Sequence, residues 1–225
     1  MKYSFLIPYY NRPTLEETLQ SFVDLYADRD DFEVIVCKAY YSNSPSNKCL
    51  MYRTYFPLQY IGCKEHTSSC CVCYNEAAAI AKGKYLIITN PECKHITDVL
   101  KGFDEELEKQ ECYVVAACES ISDDDRKPLL WYQHSMHNNR KLHFCSCLSA
   151  KQWWKANGFC EKYKDGCAFE DDDWLKRVEQ LKIPIITRDD LIVQHIEHER
   201  GYLKSEDVVR NKDLYNMIWD EHRRL

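Results

Sequence analysis

Glycine and proline are scarce in this chain, with six and seven among 225 residues. No Pro/Gly-rich boundary, low-complexity linker or internal repeat divides it, so the length suits one domain with at most a small appendage. Long apolar runs are missing as well. The first, Tyr3 to Ile7, is cut by Pro8 and falls far short of the roughly 20 residues that span a bilayer. It is also too short for the core of a secretory leader. Basic charge is not in excess: 30 Lys and Arg against 36 Asp and Glu leave a formal net charge of -6. No global basic field therefore recommends nucleic acid as a partner. Cysteine is abundant instead, at 13. An odd, high count without an export signal leads us to expect a reducing, cytoplasmic setting and no membrane span. Zinc is a weak reading of "CKEHTSSCCVC" (Cys63, His66, Cys70, Cys71, Cys73), because structural sites need two well-spaced pairs and Cys145-x-Cys147 is a poor second. Cysteine as a small buried hydrophobe explains the count more simply.

Hydrophobic patterning alternates between periods of two and of 3.6. Strands are expected at Tyr3–Ile7, Phe32–Cys37, Tyr85–Ile88, Tyr113–Ala117, within "KLHFCSCLS" and at "DLIVQH". Between them, Leu15, Leu19, Phe22, Val23 and Tyr26 share a helical face behind a capping box at Thr14-x-x-Glu17. "NEAAAIAKG" is a helix ended by Gly83, residues 97 to 110 a further one, "AKQWWKANGF" one closed by Gly158, and "EDDDWLKRVEQLK" another. Trp153 and Trp154 are adjacent on their helix, so at least one is expected in the core. Residues 201–225 are expected to form an amphipathic helix packing on a domain of residues 1–200. Alternating strands and helices imply an α/β fold with a mostly parallel sheet flanked by helices. In such sheets ligands sit beyond the carboxyl ends of the strands.

Four segments place reactive groups near such ends. Asn90-Pro91-Glu92 follows an apolar strand that Pro91 must terminate; alone it reads as a turn, although Glu92 has the chemistry to bind a divalent cation. In "FEDDDW", Glu170, Asp171, Asp172 and Asp173 point four ways around a helical start and cannot all chelate one ion. They either cap the helix dipole or offer a general base beside a group that holds a substrate hydroxyl. His195 and His198 leave a strand in "IVQHIEHER"; paired with a carboxylate they would suit manganese, and otherwise they are surface or core residues. "PYYNRP" exposes Asn11 and Arg12 in a strand-to-helix loop of the kind that holds nucleotides.

The order of these segments carries more than any one of them. "SFLIPYYNRPTLEETLQSF" followed by "YNEAAAIAKGKYLIITNPE" resembles the opening of GT-A fold glycosyltransferases of the family-two type. "KANGFCEKYKDGCAFEDDDWLKRVEQLK" resembles the acidic block of galactosyl- and N-acetylgalactosaminyltransferases, and the resemblance covers most of residues 3 to 198. It implies a metal-dependent, inverting transfer of a hexosyl or N-acetylhexosaminyl group from a nucleotide diphosphosugar, a uridine one by expectation, to a hydroxyl on a glycan or glycoconjugate. Asn90-Pro91-Glu92 would stand for the family's DxD. Glu92 and His195, with His198 in reserve, would hold Mn2+ or Mg2+. Asp171 would be the catalytic base, and Glu170, Asp172, Tyr132 and His134 would meet the acceptor. Pro8, Tyr9, Asn11, Arg12, Lys38, Asn75, Asn90 and Pro91 would bind the nucleotide sugar. Within residues 131–146, Trp131 and Tyr132 would either stack on a sugar or cover the core.

Three departures stand out. The second strand lacks the Asp that usually holds the base, leaving the backbone, Lys38 or Ser42. Tyr74 replaces an Arg before Asn75, and Asn90 replaces the first acid of DxD. They keep a second reading open, a non-catalytic nucleotide-sugar or glycan-binding module on a degenerate scaffold. A nucleotidyltransferase fits less well, because "PYYNRP" contains no glycine to cradle phosphates.

Overall fold

The computed structural model describes residues 1–65, 67, 69–120, 130–198 and 205–221. Strands β1 (Tyr3–Tyr9), β2 (Phe32–Lys38), β3 (Leu58–Gly62) and β4 (Tyr85–Thr89) pair in parallel in the order β3-β2-β1-β4. Helices α1 (Leu15–Tyr26), α2 (Asn47–Met51) and α3 (Cys71–Ile80) lie between them in sequence. The chain continues with β5 (Cys93–His95), α4 (Val99–Leu107), β6 (Tyr113–Ser120), β7 (Trp131–Gln133) and β8 (Cys145–Ser149). It ends with α5 (Ala150–Lys155), α6 (Glu170–Gln180), β9 (Ile185–His195) and α7 (Ser205–Glu221). The sheet extends as β4-β8-β6-β9-β5, with β7 on β6. β8 is antiparallel to both its neighbours, so β6 and β9 regain the direction of β1. Only β5, β7 and β8 run against the rest, which is the mostly parallel α/β sheet expected.

Strand alternation sends successive side chains to opposite faces. Phe5, Ile7, Val34, Val36 and Ile87 pack with Phe22 and Tyr26 of α1 and Phe103 of α4. Leu6, Ile35, Leu86 and Ile88 pack with Tyr74 of α3, Trp153 of α5 and Trp174 of α6. With helices on both faces, β1, β2 and β4 can be apolar almost throughout. Trp153 is fully buried while Trp154 is exposed. All thirteen cysteines are free thiols and ten of them are buried, as packing residues would be. Residues 63–73 bring no three ligand atoms together among the described residues, and His66 lies outside those residues.

Several local expectations are corrected. Thr14 already has helical dihedrals (φ -63°, ψ -17°) and makes no side-chain cap bond; a capping box needs a non-helical N-cap, so none forms. Helix α3 ends at Ile80 because Ala81 turns extended, not because of Gly83. Gly83 serves close packing instead, since a Cβ there would lie 2.5 Å from the Ser4 amide nitrogen. Asn157 and Gly158 (φ 63° and 58°) do close α5 in left-handed conformations. Strands β3, β5 and β7 and helix α2 carry no signal in the hydrophobic pattern. β9 starts at Ile185, ahead of the expected Asp190, and is bulged opposite Ala116 and Ala117.

His95 on β5 is 2% exposed and sits 2.6 Å from the Tyr26 hydroxyl. Burial pushes its pKa down to about 3, so the folded protein holds it neutral. An unfolded chain protonates it near pH 6.5. Its contribution to stability is therefore complete above about pH 6.5 and is lost as pH falls toward about 3. Urea melts between pH 6.5 and 4 should show His95→Gln losing stability less steeply than wild type, by about 1.4 kcal/mol per pH unit.

Candidate functional site: two polar corners on one rim

The carboxyl ends of β1, β2, β4, β6 and β9 share one rim of the sheet. At the tip of β4 the Asn90-Pro91-Glu92 turn is pinned by separate hydrogen bonds. The Tyr74 hydroxyl donates to Asn90 Oδ1 (2.6 Å), Thr18 Oγ1 to the Pro91 carbonyl (2.9 Å), and the Cys93 amide to the Asn90 carbonyl (3.1 Å). The chain then returns as β5, antiparallel to β9, with Cys93 opposite His195. The Ile196 amide closes the pair by donating to the Glu92 carbonyl at 2.8 Å.

This pairing brings a strand tip and a strand end together. Glu92 Oε1 lies 3.7 Å from His195 Nε2 and 3.6 Å from His198 Nε2. One ligand atom from each residue falls within 4.8 Å of the others. Glu92 and His195 are only 8% and 5% exposed. Glu92 Oε2 is buried with no hydrogen-bond partner, a costly state for a carboxylate oxygen. A carboxylate and two imidazoles suit manganese or a similar divalent ion, and a cation would satisfy the orphan oxygen, so the residues fit the expected metal. Both histidines join the cluster, the reserve candidate as fully as the first. The Tyr132 ring packs at a 45° tilt on the His195 ring at 4.9 Å, which puts it beside the Glu92–histidine cluster.

The second corner is the start of α6. Ala168 and Phe169 are both left-handed (φ 63° and 67°), and the helix then begins at Glu170. The four acids separate as their helical spacing requires. Asp173 is fully buried, bound by Arg177 Nε (2.5 Å) and Trp219 Nε1 (3.0 Å), and is structural. Asp172 pairs with Arg140 at 3.2 Å. Asp171 Oδ1 is 3.5 Å from Nε2 of His143, which is 4% exposed. Burial lowers the His143 pKa while the Asp171 charge opposes it. Glu170 Oε1 accepts from Cys70 Sγ (3.7 Å), and its Oε2 is buried without a partner. Burial first, and the neighbouring Asp171 charge second, push the Glu170 pKa up to about 8.

Tyr74 links the corners. Its hydroxyl holds Asn90, and its ring meets His143 edge-on at 5.5 Å. Sequence reading missed His143, which sits just ahead of β8 in an apparent strand, and Cys70. Tyr74 had left a signal as the residue in place of an arginine.

Other expected contacts fall elsewhere. Asn75 spends its amide on the Phe159 backbone (2.9 Å to both the carbonyl and the amide) and on Glu161 (2.8 Å), locking the turn after α5. His134 lies 3.7 Å from Asp189, in the β9 bulge, and packs on Trp131 and His137. Its described partners include neither the acids of α6 nor the metal corner. Pro8 and Tyr9 belong to β1, and the Tyr9 ring is in the core, so only their backbone reaches the rim. Asn11 (φ 58°) accepts from the Asn43 amide at 2.7 Å and joins the loops after β1 and β2. Arg12 follows in the first of these loops. Lys38 Nζ turns back to the Ser42 carbonyl at 2.8 Å.

The mostly parallel sheet flanked by helices is the GT-A glycosyltransferase fold, and solved structures bear it out. TarS 1–349 of S. aureus, in complex with UDP-GlcNAc, superposes with a TM-score of 0.76 at 14% identity, covering 96% of this chain and 66% of that one. The mannosyltransferase PcManGT of Pyrobaculum calidifontis, in complex with GDP-Man and Mn2+, gives 0.64 at 15% identity, covering 89% and 58%. The chain thus spans about three-fifths to two-thirds of these proteins' length. No curated protein matches it significantly. The sequence model "Glycosyl transferase family 2" matches residues 4–163, and the chain belongs to that family. No helix among the described residues is long and apolar enough to cross a membrane.

Glu170 gives this site a pH signature. Its carboxyl is protonated in the fold up to about pH 8 but ionised in the unfolded chain above about 4.5, so stability falls as pH rises between those values. The isosteric, neutral Glu170→Gln should melt above wild type at pH 8.5 and converge with it near pH 5 in a calorimetric pH series.

Proposed function

We propose that the chain is a metal-dependent, inverting glycosyltransferase. It moves a hexosyl or N-acetylhexosaminyl group from a uridine diphosphosugar to a hydroxyl of a glycan or glycoconjugate. The observation that carries this reading is the pair of corners on one rim, a carboxylate–bis-histidine cluster and a Glu170–Asp171 pair, in a chain of this family. The UDP-GlcNAc in TarS and the GDP-Man with Mn2+ in PcManGT support the donor class and the metal. The order of the acidic pair supports the galactosyltransferase-like assignment. The free cysteines support a reducing, cytoplasmic setting.

Glu92, His195 and His198 would hold Mn2+ or Mg2+, which when bound supplies positive charge to a diphosphate leaving group. Asn11 and Arg12 after β1, Lys38 and Ser42 around the end of β2, and the Asn90-Pro91 backbone line the side of the rim where the nucleotide binds. Asp171 takes the proton of the attacking hydroxyl, and a single displacement inverts the anomeric centre. Glu170, protonated at neutral pH, keeps an unpartnered oxygen for an acceptor hydroxyl. Two adjacent carboxyls thereby take different roles, because burial keeps Glu170 protonated at neutral pH. Asp172 and Tyr132 flank this acceptor region.

One observation favours the alternative of a non-catalytic binding module. The first acid of DxD is an asparagine, and its carbonyl is already taken by Tyr74. Turnover separates the two readings. Asp171→Asn should keep metal-dependent donor binding yet lose transfer by about 100-fold or more, the usual weight of a general base. A variant that transfers sugar normally overturns the base assignment. In a thermal-shift screen of nucleotide sugars, one donor class should stabilise wild type only with Mn2+ present. Donor binding without turnover across a broad acceptor panel would favour the module.

A further inference from the structure

Helix α7 lies outside residues 4–163, the span that carries the family match, yet it is built into the turn that presents the two acids. Asn211 is fully buried. Its Nδ2 donates to the Ala168 carbonyl at 2.9 Å and to the Tyr163 carbonyl at 3.3 Å, spanning the segment from the short helical turn Glu161–Asp165 to the start of α6. Gly166 leaves room for it, because a Cβ there would collide with the Asn211 amide. Nearby, the Cys167 amide donates to the Asp207 carbonyl (3.3 Å), and Tyr215 packs on Phe169 at 5.8 Å.

The conformation being held needs holding. Ala168 and Phe169 are consecutive non-glycine residues with positive φ, a strained arrangement that persists only where surroundings over-determine it. Those two residues set the direction in which α6 starts, and so decide whether Glu170 reaches Cys70 and Asp171 reaches His143. Asn211 Oδ1 has no hydrogen-bond partner. The side chain therefore acts through its two N–H donors alone, which an aspartate of the same shape lacks.

We propose that Asn211 is a positioning residue. By clamping the carbonyls on either side of the Gly166–Ala168 turn, it fixes Glu170 and Asp171 in their working orientation. The C-terminal helix is thereby a component of the acceptor corner and more than a cover for the core. The proposal rests on Asp171 being the base.

Asn211→Asp keeps the volume and removes the donors, Asn211→Ala removes both, and Gly166→Ala displaces the amide from the other side. Each is measured in the full-length chain for amide hydrogen exchange, for Mn2+ and UDP binding, and for kcat and KM. Arg210→Ala is the control, since among the described residues Arg210 makes an exposed ion pair with Asp165 at 3.2 Å and no other. We expect exchange at residues 167–171 to rise about tenfold in the three clamp variants, with Mn2+ and UDP affinity within about twofold of wild type. We expect kcat to fall about 10- to 100-fold at unchanged donor KM, the effect of misplacing a catalytic group by about an ångström. Arg210→Ala should match wild type in every measurement. If any folded clamp variant keeps kcat within about twofold, or leaves exchange at residues 167–171 unchanged, the proposal is overturned. The exchange measurement needs no substrate. If wild type transfers no sugar, the assignment of Asp171 fails by itself, and the clamp is still judged: a local rise supports it and unchanged protection overturns it.

Discussion

The site depends on three residues of β-structure. β5 is only Cys93–His95, but its antiparallel pairing with β9 and the bond from the Ile196 amide to the Glu92 carbonyl tie the tip of β4 to the end of β9. Without that return, Glu92 would project from a free turn at one place on the rim and the histidines from another. With it, a carboxylate and two imidazoles converge in a nearly dry pocket, and the Glu92 oxygen left without a partner becomes a reason for a cation to bind. The Thr18 and Tyr74 bonds to the same turn hold it from the other side.

The second corner is built by a different principle. Four consecutive acids would repel one another if they shared an environment. The helix distributes them: Asp173 into a buried ion pair, Asp172 to Arg140, Asp171 toward His143, Glu170 into a poorly solvated place beside Cys70. Asp173 becomes structural, and the Glu170–Asp171 pair is differentiated by burial. Tyr74 connects this arrangement with the metal corner. Two departures from the family pattern, Tyr74 for an arginine and Asn90 for an acid, meet in one neutral hydrogen bond.

Much of this was legible in the sequence. Apolar runs gave β1, β2, β4, β6 and every helix but α2, and the order of "NPE", "FEDDDW" and "IVQH" pointed to one rim. β5 was not legible, because three residues after a proline-containing turn carry no periodicity; its identity is set by pairing with a strand a hundred residues away. The structural bonds of Asn75 were hidden for a related reason. Its motif position suggested a ligand, whereas its amide is consumed by the left-handed turn at Gly158. His143 and Asn211 were invisible because their meaning lies in what they face: Asp171 in one case, two backbone carbonyls in the other.

The central claim is that a divalent cation is bound by Glu92 together with His195 and His198. Pulsed electron paramagnetic resonance of Mn2+ bound to the protein with UDP tests it directly. Nitrogen couplings from imidazole should be present in wild type and should be diminished in turn by His195→Ala and His198→Ala. A Mn2+ signal that shows only water and phosphate couplings, unchanged by either substitution, would contradict the account.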